Sequence, residues 1–223
     1  KEAKKSCLKN INLEINKNDK IAILGKVGSG KTSLMNVLTG LYKFQKGLII
    51  IDNETYIKPG SQFLWNKASY FKQSASIISD TIKNNILFSG DNFNKKKFNQ
   101  IVNLVGINKN LINSQIDLNK NTGISGSKMS GGQKQIISFA RTFYSDSEII
   151  FLDEPTNNLD LKLKKKVINY LKSINKTLII ITHDLNVIKA CNKIIIMESG
   201  KLKFVQNKKV FLKRYKNIIN LFY

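Results

Sequence analysis

The chain has 223 residues, enough to bury a full core as one domain or as one domain with a lobe. Its net charge is +22, but 35 of the 37 basic residues are Lys, and the scarcity of Arg argues against a base-reading nucleic-acid surface. Two cysteines, Cys7 and Cys191, are too few for a disulfide framework or a structural zinc site, and no apolar run approaches the roughly 20 residues of a membrane span.

The start, Lys1 to Asn10, is basic, and no apolar stretch follows that would make it a signal peptide. The first residue is Lys, not Met, and a strand pattern begins almost at once, so a piece of a longer chain is expected. Ile11, Leu13 and Ile15 alternate with polar residues and predict a half-buried strand. Lys20 to Leu24 predicts a short apolar strand that feeds Gly25-Lys26-Val27-Gly28-Ser29-Gly30-Lys31-Thr32, the pattern G-x-x-x-x-G-K-[ST]. Glycines there let backbone N–H groups turn toward phosphates, and the helix that follows adds partial positive charge at its N-terminus. In that geometry Lys31 reaches the β- and γ-phosphates, and the Thr32 hydroxyl is placed to ligate Mg²⁺. The helix is predicted over 31–40, with Leu34, Val37 and Leu38 at helical spacing and Gly40 as its stop.

Strands are predicted at 48–51 and 68–71, and Gln73 follows the second. From about Asp80 to Tyr144 the pattern is helical and rich in Asn and Lys. The lysine runs 95–97 and 164–166 read as solvated helix faces. Ser130-Gly131-Gly132-Gln133 precedes a helical run with Ile136, Ile137, Phe139 and Ala140. That is a second helix N-terminus with bare glycines, hence a second anion site, although an N-cap alone would also explain Ser-Gly-Gly. One chain then offers two phosphate sites but one Lys and one acid pair. A two-fold dimer resolves this by setting each Ser-Gly-Gly-Gln opposite the other copy's glycine loop.

Alternation resumes with a strand at 148–152 that runs into Asp153-Glu154-Pro155. Carboxylates at the carboxyl end of such a strand sit where open α/β sheets bind ligands. Asp153 suits a metal and Glu154 a general base for water. A helix near 161–173, a strand at 177–181, a short helix near 184–190, a strand at 193–197 and a hairpin partner at 201–205 follow, with an amphipathic helix over 207–223. His183, the single histidine, comes two residues after the strand at 177–181. The segments imply an α/β fold, a parallel sheet wrapped by helices with a helical lobe inserted.

Taken in order, these motifs resemble the nucleotide-binding domain of an ABC transporter, and the resemblance covers nearly the whole chain. Gly25 to Ser33 matches Walker A, Gln73 the Q-loop, and Met129-Ser130-Gly131-Gly132-Gln133 the signature. Ile149 to Pro155 matches Walker B with its glutamate, Asn158-Leu159-Asp160 the D-loop, and His183 the H-loop. Asp80 to Ile86 resembles the TI-x-x-NI stretch of exporter-type domains. The resemblance implies a P-loop core with a mixed, mostly parallel sheet and an N-terminal antiparallel β portion, over 1–79 and 146–223, and an inserted helical subdomain over 80–145. It also implies ATP and Mg²⁺ as cofactors. Gly25, Lys26, Val27, Gly28, Ser29, Gly30, Lys31, Thr32, Ser33, Gln73, Ser130, Gly131, Gly132, Gln133 and Asp160 would contact nucleotide. Thr32, Gln73 and Asp153 would hold the metal, and Glu154 and His183 would be catalytic. The implied partners are the transporter's membrane domains and a second nucleotide-binding domain, at the cytoplasmic face of a membrane, with no specific nucleic acid. A soluble ABC-type ATPase acting on ribosomes or nucleic acid is the alternative. Three positions depart from the pattern: Met129 stands for Leu, Ile136 for Arg, and Ile124 for the Glu of a VGE-x-G element. The family's adenine-stacking aromatic would lie upstream of Leu8.

Overall fold

The computed structural model describes residues 7–52, 55–57, 67–88, 93–107, 118–207 and 211. The elements in chain order are β1 (Lys20–Leu24), α1 (Lys31–Leu38), β2 (Ile49–Ile51), β3 (Thr55–Ile57), β4 (Ala68–Phe71), α2 (Ile82–Ile86) and α3 (Lys95–Leu104). A 3₁₀ turn at Ile124–Gly126 precedes α4 (Gly131–Tyr144), β5 (Ile149–Asp153), α5 (Leu161–Ser173), β6 (Thr177–Ile181), α6 (Leu185–Ala190), β7 (Lys193–Glu198) and β8 (Lys201–Asn207).

The fold is mixed α/β. Six strands form one sheet in the order β4-β5-β6-β1-β7-β8, and β2 pairs with β3 in a separate antiparallel ribbon. β1 lies between β6 and β7, parallel to both, and β5 runs parallel to β6. β8 returns antiparallel to β7 through the Ser199-Gly200 turn. The parallel strands are near-continuous runs of Ile and Leu, as strands covered on both faces require. Ile21, Ile23, Phe151, Ile179, Ile181, Ile195 and Met197 meet Leu34 and Met35 of α1 in one buried cluster. Each residue of β6 is buried, so either neighbour loses packing if its register slips by one.

The strand expected at Ile11–Ile15 does not form. The alternation is real, since Ile11, Leu13 and Ile15 are half-buried and pack against the core cluster while Asn12 and Glu14 are exposed. The backbone joins no ladder among the described residues, so side-chain packing alone accounts for the period. The helix expected over 207–223 lies outside the described residues, apart from Phe211, which is buried. Among the described residues no helix is long and apolar enough to cross a membrane.

The chain divides into two compact units. The first comprises Lys1–Tyr70, Ser147–Asp153 and Asn175–Tyr223, and the second Phe71–Asp146 and Glu154–Ile174. In the second, α4 is the organising helix and buries Ile136, Ile137, Phe139, Ala140, Phe143 and Tyr144. Phe139 meets Phe71 and Phe143 at ring-centroid distances of 5.8 and 4.3 Å, and Phe143 meets Tyr170 of α5 edge-on at 5.2 Å. Such aromatic contacts stabilise by about 0.5–1.5 kcal/mol each beyond their buried area. Side-chain caps fix where the helices start: Asn94 accepts from Lys97 N, and Asp160 from Lys162 N and Leu163 N.

Candidate functional site

The glycine loop runs from the end of β1 into α1. Gly25, Gly28 and Gly30 have φ of 154°, 79° and 100°, backbone shapes that side chains disfavour. At Gly25 the space is also closed, because an added Cβ would lie 2.4 Å from Met197 O and 2.6 Å from Ser29 Oγ. Gly30 occupies the N-cap of α1 and, lacking a side chain, leaves the helix's first N–H groups uncapped. Lys31 Nζ folds over the loop and donates to Gly25 O at 2.6 Å and Lys26 O at 3.0 Å. Ser29 is buried, and its hydroxyl has no hydrogen-bond partner among the described residues. Lys26 and Val27 are exposed at the tip, Thr32 is exposed in the first turn of α1, and Ser33 is half-buried beside it. The start of α1, which has no side-chain cap, and the Lys31 ammonium beside it suit a polyphosphate.

Sheet register places further groups at the same edge. Ile181 of β6 pairs with Ile23 of β1 on one side and with Asp153 of β5 on the other. Asp153 therefore ends its strand two strand spacings from β1, about 10 Å. It is buried; burial pushes its carboxyl above the usual range, and the charge of Lys31 draws it back down. His183 lies just beyond β6 and is half-buried. Burial, and secondarily Lys31, pull its pKa below the ordinary 6.5, so the ring is neutral at neutral pH. The sign follows for stability. A lowered histidine pKa contributes stability that is fully present above about 6.5 and lost as pH falls through the folded value. His183→Gln is expected to flatten that acid-side loss, read as urea midpoints compared between pH 7.5 and 5.5. A slope identical to wild type would show that His183 does not titrate in this way.

In the second unit, Gln73 is exposed two residues past β4. Ser130 is the N-cap of α4 in a reciprocal capping box: Gln133 N donates to Ser130 Oγ at 3.3 Å, and Ser130 N to Gln133 Oε1 at 2.9 Å. At Gly131 and Gly132 no described residue beyond the helix's own backbone comes within 4 Å of an added Cβ. Asp160 caps α5 and is exposed. Glu154 is 8% exposed and holds φ of 50°, a left-handed shape that is strained for a residue with a Cβ and clusters at functional positions.

Some groups here carry no sequence signal. Tyr70 on β4 packs edge-on against Phe151 at 6.4 Å, and burial first, then the charge of Asp153, push its phenol pKa up. In the sequence it is one more strand residue. The turn behind the glycine loop is another case: Gly200 N donates to Ser29 O at 3.0 Å, and Lys9 N donates to Gly200 O at 2.8 Å.

Residues 8–157 match the ABC transporter family. The chain is 33% identical over 223 residues to the nisin transport ATP-binding protein NisT of Lactococcus lactis subsp. lactis, covering 97% of this chain and 37% of that protein. It is 32% identical over 198 residues to the glutathione/L-cysteine transport system ATP-binding/permease protein CydC of Haemophilus influenzae, covering 87% of this chain and 34% of CydC. Among solved structures, a bacterial Atm1-family ABC exporter with ATP bound superposes with a TM-score of 0.86 at 23% identity, over 100% of this chain and 40% of the other. The chain thus spans about a third of the length of the curated relatives it matches.

Proposed function

The chain belongs to the ABC transporter family, and from that we propose that it is the ATP-hydrolysing motor of an export system, acting as one half of an ATP-clamped pair. One observation carries the reading: the glycine loop, Lys31, Asp153 and His183 converge at the carboxyl edge of a single parallel sheet. Loop amides from Gly25 to Lys31, with Thr32 and Ser33 at the helix start, hold the phosphates. Lys31 leaves its two loop carbonyls to meet the β- and γ-phosphates. Residues 1–79 and 146–223 serve as the ATP-binding core, and 80–145 as the helical subdomain that presents Ser130, Gly131, Gly132 and Gln133 to the other copy's nucleotide. Asp160 lies at the same contact between copies.

Mg²⁺ fits the donors present. Thr32 offers a hydroxyl and Asp153 a buried carboxylate, with Gln73 as a third ligand. No group of three His, Cys, Asp or Glu gathers among the described residues, so the remaining ligands would be phosphate oxygens and water. When bound, the ion would offset charge building on the transferring phosphoryl group. Glu154 takes the proton from the water whose oxygen attacks the γ-phosphorus, as the bond to the ADP oxygen breaks. Neutral His183 donates a hydrogen bond to the γ-phosphate.

The name of a further relative, a putative export ATP-binding/permease protein of Rickettsia typhi that is 33% identical to this chain, supports export, and the permease in its name and in that of CydC supports membrane domains as partners at the cytoplasmic face of a membrane. The Lys-dominated charge supports no specific nucleic acid, which sets aside the soluble ribosome- or nucleic-acid-directed alternative. Titration calorimetry with Mg-ATP tests the site. Wild type is expected to bind, and Lys31→Ala to bind at least about tenfold more weakly, because Lys31 meets phosphate in the ground state. Equal affinity would remove the glycine loop from the account.

A further inference from the structure

One of the chain's two arginines stands in the third turn of α4, in a sequence with 35 lysines. Arg141 Nε donates to Asn85 O at 2.7 Å, Nη1 to Ser76 O at 2.8 Å, and Nη2 to Asn85 Oδ1 at 2.9 Å. Its guanidinium carbon also sits 5.0 Å from the ring centroid of Phe88. Among the described residues no carboxylate forms an ion pair with it, and burial pulls its pKa below the ordinary value. Asn85 is fully buried and fully used: Nδ2 donates to Ile78 O and Thr81 O at 3.0 Å each, and Oδ1 also accepts from Ile78 N at 3.0 Å. A half-buried cation with no counter-ion among the described residues loses hydration that an ion pair would have offset. A tether made only for packing would be met at lower cost by an apolar side chain. What the guanidinium adds is a planar fork that fixes three acceptors in one orientation, which an ammonium cannot do.

Those acceptors belong to the segment that leaves Gln73. Ser76 lies three residues past it, and Asn85 sits in α2 at the end of the same stretch. At the other end of α4 stand Ser130, Gly131 and Gly132. We propose that Arg141 is a positioning residue that fixes the anion-facing end of α4 relative to Gln73, so that these two nucleotide contacts move as one piece. The proposal rests on the roles given to Gln73 and Ser130 above. It adds that their mutual geometry is set by a residue that touches neither nucleotide nor metal.

The test uses the chain carrying Glu154→Gln, alone and with Arg141→Met or Arg141→Lys. Three quantities are read: Mg-ATP affinity by calorimetry, the Mg-ATP-dependent dimer dissociation constant by sedimentation, and amide hydrogen exchange without nucleotide. Arg141→Met is expected to leave ATP affinity within about twofold while raising the dimer dissociation constant about tenfold or more. Arg141→Lys is expected to fall between, because it restores the charge but not the fork. Exchange is expected to quicken together at 73–78 and at 130–134, with the amides of the glycine loop unchanged. An unchanged dimer constant would overturn the proposal, as would an ATP affinity that falls in parallel with it. If the Glu154→Gln parent itself stays monomeric, the clamped-pair reading fails. Exchange then decides the proposal alone, and quickening confined to one of the two segments overturns it.

Discussion

Glu154→Gln is expected to cut ATP turnover by about 10²–10⁴-fold while leaving Mg-ATP affinity within about twofold. The substitution keeps the size and polarity of the side chain and removes the basic oxygen. Only an interaction made in the transition state is lost, so turnover falls and ground-state binding stays. Glu154 is 8% exposed and held at φ of 50°. Turnover by phosphate release and affinity by calorimetry, on the same preparation, separate the two effects. A Gln variant that hydrolyses ATP at the wild-type rate would mean that the water's proton goes elsewhere.

Ser130→Arg, placed in the Glu154→Gln background, is expected to abolish Mg-ATP-driven dimerisation and leave ATP affinity of the monomer within about twofold. Ser130 is exposed at the start of α4, beside two glycines whose surroundings are open. In the proposed clamped pair that opening would receive the other copy's γ-phosphate end. A long side chain fills it and also removes the hydroxyl that accepts from Gln133 N. Loss of an N-cap costs about 1 kcal/mol, too little to unfold a domain of this size. Ser130→Ala is the control: it loses the cap without the bulk and is expected to dimerise, more weakly than Ser130. If Ser130→Arg dimerises as its parent does, the signature segment does not lie between the copies.

The elements legible in the sequence share one physical property: their signal is local. β6 appears as Thr177–Ile181 because a β-branched run is bounded by Lys176 on one side and Thr182-His183-Asp184 on the other. α5 spans Leu161–Ser173 as its apolar spacing predicts, and Asp160 begins it with a cap that the sequence prints. The glycine loop is legible because its glycines, Lys31 and Thr32 stand in one contiguous pattern, Gly25 to Thr32. Features made by distant pairings are not legible. Arg141 and Asn85 are 56 residues apart, and nothing near either announces the other. The segment at 11–15 has a strand's period, but a ladder needs a partner, and period alone cannot supply one. The left-handed backbone at Glu154 and the orphaned Ser29 hydroxyl follow from how the turns are closed, which composition does not encode.

Sedimentation velocity of the Glu154→Gln chain, with and without Mg-ATP, tests the central claim most directly. One chain holds a glycine loop, a Lys and an acid pair, and in the proposed pair the start of α4 would serve the other copy's nucleotide. The account predicts a monomer of 25.3 kDa without nucleotide and a species of twice that mass with Mg-ATP, reverting when the metal is chelated. A mass that stays at the monomer value while calorimetry shows the site filled with Mg-ATP would contradict it.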